Sequence, residues 1–211
     1  MAVEAVDHLV YACPVLADVI EEIAAATGVR AAPGGRHPGL GTRNALLGLG
    51  GRSYLELIGP DPAEDRPAAP RPFGLDDLAT PALRAWAAAA SDLEAAVRAA
   101  RSAGHDPGEP VVGERRTPDG GEVRWRMTPP GSSDAVAVAP FLISWNGSPH
   151  PALSAPGGLT LEQFVISTPD PSGLARLLGS LGLAVEVEDA AMPGLLAVLR
   201  GPGGAPLVLR S

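Results

Sequence analysis

Tyr54-Leu55-Glu56-Leu57-Ile58 is the stretch on which the reading of this chain turns. Side chains on a strand alternate between two faces, so Leu55 and Leu57 share one face and Tyr54, Glu56 and Ile58 the other. The leucine face is expected to pack on helices. Glu56 is then left among apolar neighbours, where a carboxylate is costly unless it is hydrogen-bonded, paired or bound to metal. A Glu facing water on an open sheet would show the same pattern, so the strand alone does not make a site.

Working outward, Val6 to Ala12 forms a short apolar strand that places His8 on one face with Val6 and Val10. Residues 15–27 predict a helix with Leu16, Val19, Ile20 and Ile23 as its apolar stripe and Gly28 as its stop. Strands at 29–32, 43–49 and 53–58 follow, giving the order β-α-β-β-β. The order returns from Leu83. Ser91 and Glu94 have capping-box spacing, Leu93, Ala96, Val97 and Ala100 make the stripe, Gly104 is the stop, and strands fit 109–116, 122–128 and 136–145. It returns again from Leu159. Asp170 caps a helix with Pro171 at its first position, Leu174, Leu177, Leu178 and Leu181 form the stripe, Gly182 ends it, and strands fit 184–188, 195–199 and 206–210. The three stop glycines lie 76 and 78 residues apart, and self-similarity at a fixed period outweighs any single element. The expected class is α+β, with three βαβββ units. Two Pro-rich connectors, 60–81 and 146–157, separate them, and the longer is expected to cover a surface or line a site.

Composition narrows the chemistry. All 16 basic residues of the 211 are arginine. Without lysine there is no Schiff-base or lysine nucleophile chemistry and no P-loop lysine. A net charge of −8 disfavours nucleic acid as a partner. The single cysteine, Cys13, excludes an intrachain disulfide or a cysteine zinc cluster and is read as buried and inert. Glycine (26) and proline (23) fall just short of a low-complexity composition, and 45% hydrophobic residues argue for a folded globule. No apolar run approaches the ~18 residues of a membrane span, and no basic n-region opens the chain. A cytoplasmic protein without a membrane partner is expected.

Candidate chemistry gathers at few places. His8 and Glu56, on the first and last strands of one unit, combine imidazole and carboxylate, a donor pair suited to Zn, Fe, Mn or Ni. Gly34-Gly35-Arg36-His37-Pro38-Gly39-Leu40-Gly41-Thr42-Arg43-Asn44 lacks the third glycine of a nucleotide loop, and a strand rather than a helix follows it. It reads either as a turn or as a ligand-mouth loop, with Arg36 for an anionic group and His37 for acid–base or hydrogen-bonding duty. Trp125, Phe141 and Trp145, with His150 just beyond, are the best candidates for a pocket wall in an aromatic-poor chain. His105, after a stop glycine, is read as a surface residue.

A tandem βαβββ repeat carrying Asp7-His8-Leu9-Val10, Gly34-Gly35-Arg36-His37 with Gly41-Thr42-x-Asn44, Tyr54-Leu55-Glu56-Leu57-Ile58, Gly121-Glu122-Val123-Arg124-Trp125 and Pro140-Phe141-Leu142-Ile143-Ser144-Trp145 resembles the vicinal oxygen chelate superfamily, and within it the glyoxalase-like domain proteins. The resemblance implies curved mixed sheets of paired units enclosing a cavity. It places a glyoxalase-like domain of two units at 1–150 and a third unit at 158–211 packed on them. It also implies a divalent metal, held by first- and fourth-strand residues of both paired units, that stabilises an enolate or related anion. His8 and Glu56 match the first-unit positions. The second-unit positions fall near Ala85–Trp86 and Ile143–Ser144, where no ligand stands, while the third unit sets Gln163 opposite His8 and Val208 opposite Glu56. The implied metal ligands are therefore His8, Glu56 and Gln163, the catalytic candidates Glu56 and His37, and the ligand-binding candidates Arg36, Asn44, Trp125, Trp145 and His150. The expected function is binding of a small oxygenated or anionic metabolite. The protein would act as a metal-dependent lyase, isomerase or dioxygenase or, alternatively, as a metal-free sequestering protein like the bleomycin resistance-like members. The four-ligand set of glyoxalase I is missing. Which units pair around the cavity, whether turnover occurs, and whether the chain forms a homodimer are left open.

Overall fold

The computed structural model describes residues 6–130 and 136–211; residues 1–5 and 131–135, both within the 1–150 span, lie outside the described part. Among the described residues, twelve strands and three α-helices follow in the order the repeat predicts. Unit one holds β1 (Val6–Ala12), α1 (Leu16–Thr27), β2 (Ala32–His37), β3 (Thr42–Gly48) and β4 (Tyr54–Pro60). Unit two holds β5 (Ala82–Ala89), α2 (Leu93–Ser102), β6 (Val111–Arg116), β7 (Glu122–Met127) and β8 (Phe141–Ser144). Unit three holds β9 (Thr160–Thr168), α3 (Pro171–Ser180), β10 (Glu186–Asp189), β11 (Gly194–Arg200) and β12 (Pro206–Arg210).

Units one and two pair with each other. Their strands close a barrel in the order β1-β4-β3-β2-β6-β7-β8-β5, joined where β1 runs antiparallel to β5 and where Arg36 on β2 pairs with Arg116 on β6. This is the cavity-enclosing pairing of units that the resemblance implies. The third unit repeats the order of elements but not the wiring. In units one and two the first strand pairs in parallel with the last, whereas β9 sits between β10 and β11 in a separate sheet, β10-β9-β11-β12. That sheet lies on the outside of the barrel, with Phe164 packed edge-on against Trp86 at 5.4 Å between ring centroids.

Alternation sorts the side chains as the Tyr54–Ile58 stretch predicts. Leu55 and Leu57 point outward into a core shared with Leu16, Val19 and Ile23 of α1 and with Phe164, Ile166 and Leu199 of the third unit. Val10, Ile58, Ala85, Ala87, Phe141 and Ile143 face a second, interior cluster. Val6 departs from the expected face: a register shift between Val6 and His8 turns Val6 into the outer core while His8 stays inside.

Helix boundaries hold with two corrections. Gly28 ends α1 with φ +77°, a left-handed conformation that a Cβ disfavours. Asp170 caps α3 by accepting from Gly173 N–H. The cap of α2 is Asp92, which accepts from Ala95 N–H, and not Ser91; Glu94 instead pairs with Arg126 at 2.6 Å. The stripe of α1 buries Leu16, Val19 and Ile23, with Thr27 rather than Ile20 completing it. Among the described residues, no helix is long and apolar enough to cross a membrane.

Candidate active site inside the barrel

The glycine-rich stretch is a hairpin rather than a mouth loop. Residues 34–37 belong to β2 and 42–44 to β3, with Arg36 opposite Arg43 and His37 opposite Thr42. Its register sends His37 and Asn44 into the barrel and Arg36 out of it. There Arg36 Nε lies 3.2 Å from the buried carboxyl of Asp61, so Arg36 does not serve the cavity.

The barrel encloses a cavity of about 210 Å³, below the ~300–1,000 Å³ of common ligand pockets, which fits a small occupant. One half of its wall is polar and comes from unit one: His8, His37, Asn44, Tyr54 and Glu56. The other half comes from unit two and is carbon-rich, with Trp125, Met127, Phe141, Ile143 and Trp145, plus Arg115. The 60–81 connector contributes Pro72 and Phe73, as expected for a segment that lines a site. Phe73 holds φ +62°, a conformation that costs a non-glycine residue about 1–3 kcal/mol.

Hydrogen bonds fix the polar half. Asn44 Nδ2 donates to Glu56 Oε1 at 2.6 Å. The other Glu56 oxygen faces His8 Nε2 at 3.8 Å, and His37 Nε2 lies 4.0 Å from Oε1. His8 donates from Nδ1 to Asp7 Oδ1 at 2.7 Å, which turns its Nε2 toward Glu56. His37 Nδ1 donates to Thr42 Oγ1 at 2.9 Å, since Nε2 faces the Asn44 amide N–H. Tyr54 stacks on the His8 ring with centroids 4.6 Å apart, and Phe141 meets it edge-on at 5.3 Å.

Asp7 ties the two units together behind this cluster. Its second oxygen accepts from Trp145 Nε1 and His150 Nε2, both at 3.0 Å. His150 Nδ1 accepts from Ala152 N–H, so the proton on Nε2 is fixed. Burial alone would raise the Asp7 carboxyl, but the hydrogen bonds from His150, His8 and Trp145 outweigh it and hold the group well below the usual carboxylate range. Burial lowers His37, the Glu56 charge opposes that, and Arg115 reinforces it, leaving a neutral imidazole. Burial pushes the Tyr54 phenol well above its ordinary value, with Glu56 and Asp7 adding to it, so the phenol keeps its proton. Cys13 is buried, and its thiol is pushed up to about 12 by burial, as befits an inert group.

Of the residues singled out from the sequence, His8, His37, Asn44, Glu56, Trp125 and Trp145 come together around the cavity. His150 supports from behind, through Asp7. Gln163 does not join them: it is exposed on β9, where its amide donates to Glu186 at 3.1 Å. Asp7 and Arg115 were missed. The Asp7-His8 pair was visible, but the partners that give Asp7 its role lie 138 and 143 residues away.

The donors present do not fit the metal site that the resemblance implies. Cross-strand pairing sets Ala87 and Phe141 of unit two where unit one has His8 and Tyr54, and Ile143 then occupies the place of Glu56. At these positions unit two thus offers only carbon. Among the described residues, no group of three or more His, Cys, Asp or Glu side chains is arranged to hold a metal ion.

A sequence profile of the Glyoxalase-like domain family matches residues 6–182. The chain belongs to this family. Among solved structures, this glyoxalase-like protein is similar to a hypothetical protein from Staphylococcus aureus at 17% identity and TM-score 0.60, covering 97% of this chain and 84% of that one. Methylmalonyl-CoA epimerase from Mycobacterium tuberculosis matches at 24% identity and TM-score 0.45 over 72% of this chain and 92% of that one. A xylose isomerase-like TIM barrel/4-hydroxyphenylpyruvate dioxygenase fusion protein matches at 19% identity and TM-score 0.46, over 99% of this chain and 32% of that one. No curated protein matches the chain at a significant level.

Proposed function

We propose that this glyoxalase-like protein binds a small oxygenated metabolite inside the barrel and moves a proton at a carbon beside its carbonyl, as an isomerase or lyase does. The observation that carries this reading is Glu56. One of its oxygens is held by Asn44 and the other faces His8 Nε2, in an apolar-walled cavity. A carboxylate fixed in this way is a positioned general base.

The chemistry follows from the atoms. Glu56 takes the proton from the carbon, and the C–H electron pair moves into the carbonyl, leaving an enolate oxygen. Tyr54, whose phenol stays protonated, faces the same cavity and is the donor for that oxygen. The proton on Glu56 can pass to His8 Nε2, whose imidazolium is then stabilised by Asp7 through Nδ1. Return of the proton to another carbon or another face completes an isomerisation. Every step uses side chains of this chain.

The test is deuterium incorporation from heavy water into pyruvate and hydroxyacetone, followed by NMR. Exchange catalysed by the protein and reduced at least ~100-fold in Glu56→Gln is expected, because a positioned base contributes about 10²–10⁴. Equal exchange by protein and variant would sink the proposal. A second reading, metal-free sequestration, has one observation in its favour: the aromatic and aliphatic half-wall of Trp125, Met127, Phe141 and Ile143. It predicts quenching of tryptophan fluorescence by ligand without any exchange.

A further inference from the structure

The proton-transfer reading leaves one charged group in the cavity unused. Arg115 on β6 is 6% exposed and lines the cavity. Among the described residues its guanidinium makes no hydrogen bond or ion pair, and its Nε is sealed from solvent without a partner. Neighbouring buried charges are matched. Asp7 has three N–H donors, Glu56 has Asn44, and Asp61 has Arg36. A cation taken out of water with nothing to neutralise it is unfavourable, and such groups are ordinarily paired.

The backbone makes room for this guanidinium. A Cβ on Gly34 would collide with Asn44 Oδ1 and stand 2.9 Å from Arg115 Nη1, so only glycine lets the two side chains approach there. Asn44 Oδ1 is itself buried without a partner, and a neutral amide oxygen cannot balance a full charge. Asn44 thus links the two ends of the polar wall: its amide nitrogen holds Glu56, and its oxygen and Arg115 Nη1 both crowd the space over Gly34.

We propose that Arg115 is a carboxylate subsite, so that the ligand is a small monoanion with a compact apolar body. This rests on the cavity being the ligand site proposed above. The guanidinium fork matches the two oxygens of a carboxylate. The apolar body lies against Phe141, Ile143 and Met127, and the carbon beside the carboxylate-bearing end faces Glu56. A phosphate dianion fits less well, because among the described residues Arg115 is the only Arg or Lys in the cavity wall, and the second negative charge would stand uncompensated near Glu56. Arg36, the arginine that the sequence favours for this duty, is outside the barrel and already paired.

Equilibrium binding of benzoate and of its neutral isostere benzamide, read by tryptophan fluorescence and calorimetry, tests the subsite without any turnover. The wild-type protein is expected to prefer benzoate by at least about 30-fold, the range for losing one partner of a buried charge pair. Arg115→Met is expected to abolish the preference, Arg115→Lys to restore part of it, and Arg36→Met to leave it intact. Binding of neither probe, equal binding of both, a preference that survives Arg115→Met, or inorganic phosphate displacing benzoate with higher affinity would each overturn the proposal. Loss of exchange in Glu56→Gln bears only on proton transfer, and loss of charge preference in Arg115→Met only on the subsite, so the two can fail separately.

Discussion

On the barrel's inner wall, Tyr54, His8 and Glu56 of unit one stand where unit two has Phe141, Ala87 and Ile143. The backbones are alike, with the same order of elements and the same parallel pairing of first and last strands. The side chains have gone opposite ways. Unit one concentrates hydrogen-bonded polar groups, while unit two supplies a carbon surface and the Arg115 cation, which has no ion pair among the described residues. The difference teaches that a duplicated barrel need not duplicate its chemistry. Each polar group in an apolar cavity must be satisfied, and one satisfied cluster beside a dry wall strengthens electrostatic interactions in the site.

The largest expected effect comes from cutting the tie between the halves. Asp7 belongs to unit one but takes two of its three hydrogen bonds from Trp145 and His150, beyond the last strand of unit two. Asp7→Asn puts an N–H against a set of N–H donors and is expected to cost about 3 kcal/mol in chemical denaturation. A cost below about 1 kcal/mol would mean that the Asp7 hydrogen bonds add little to the β1–β5 pairing that joins the halves. Next, Glu56→Gln should reduce deuterium exchange ~100-fold, equivalent to about 2.7 kcal/mol of barrier, while Ile143→Val, in the same place of unit two, should change exchange by less than about threefold.

A smaller effect is pH-linked and also belongs to unit one. His37 is lowered in the fold chiefly by burial, so between its folded value and about 6.5 the unfolded chain binds more protons and stability rises with pH. Its contribution is therefore complete above about pH 6.5 and is lost as the pH falls below that. Asp7, also lowered, adds a second loss at more acid pH, below about 3.8. The melting temperature should drop from pH 7 to pH 5, and His37→Gln should flatten that slope. The smallest expected effect is none: with no ligand set completed by unit two, EDTA should leave benzoate affinity unchanged.

Much of this was legible in the sequence because strand alternation and helix stops are local signals. Tyr54–Ile58 fixed which side of β4 faces inward, and Gly28, Gly104 and Gly182 marked the three units. That His8 and Glu56 stand on the first and last strands of one unit followed from the repeat; their approach to 3.8 Å depends on the parallel pairing of β1 with β4. Other features depended on contacts far apart in the chain. Val6 changed face through a bulge against β5, which no spacing on β1 reveals. Arg36 and His37 are adjacent, yet pairing of β2 with β3 sends one out and the other in. Gly34–Asn44 read as a loop because its glycines outweighed a weak strand pattern, although Gly34 serves instead as space for Arg115. Arg115 itself lies in Glu114-Arg115-Arg116, which reads as a solvated strand end until the barrel closes around it.

The most direct test of the account is a crystal structure of the protein soaked with pyruvate. The account predicts the carboxylate on the Arg115 guanidinium and the methyl carbon within about 3.5 Å of the Glu56 carboxyl, in reach for proton transfer. Pyruvate bound outside the barrel, with its carboxylate away from Arg115, or with its methyl carbon out of reach of the Glu56 carboxyl, would contradict it.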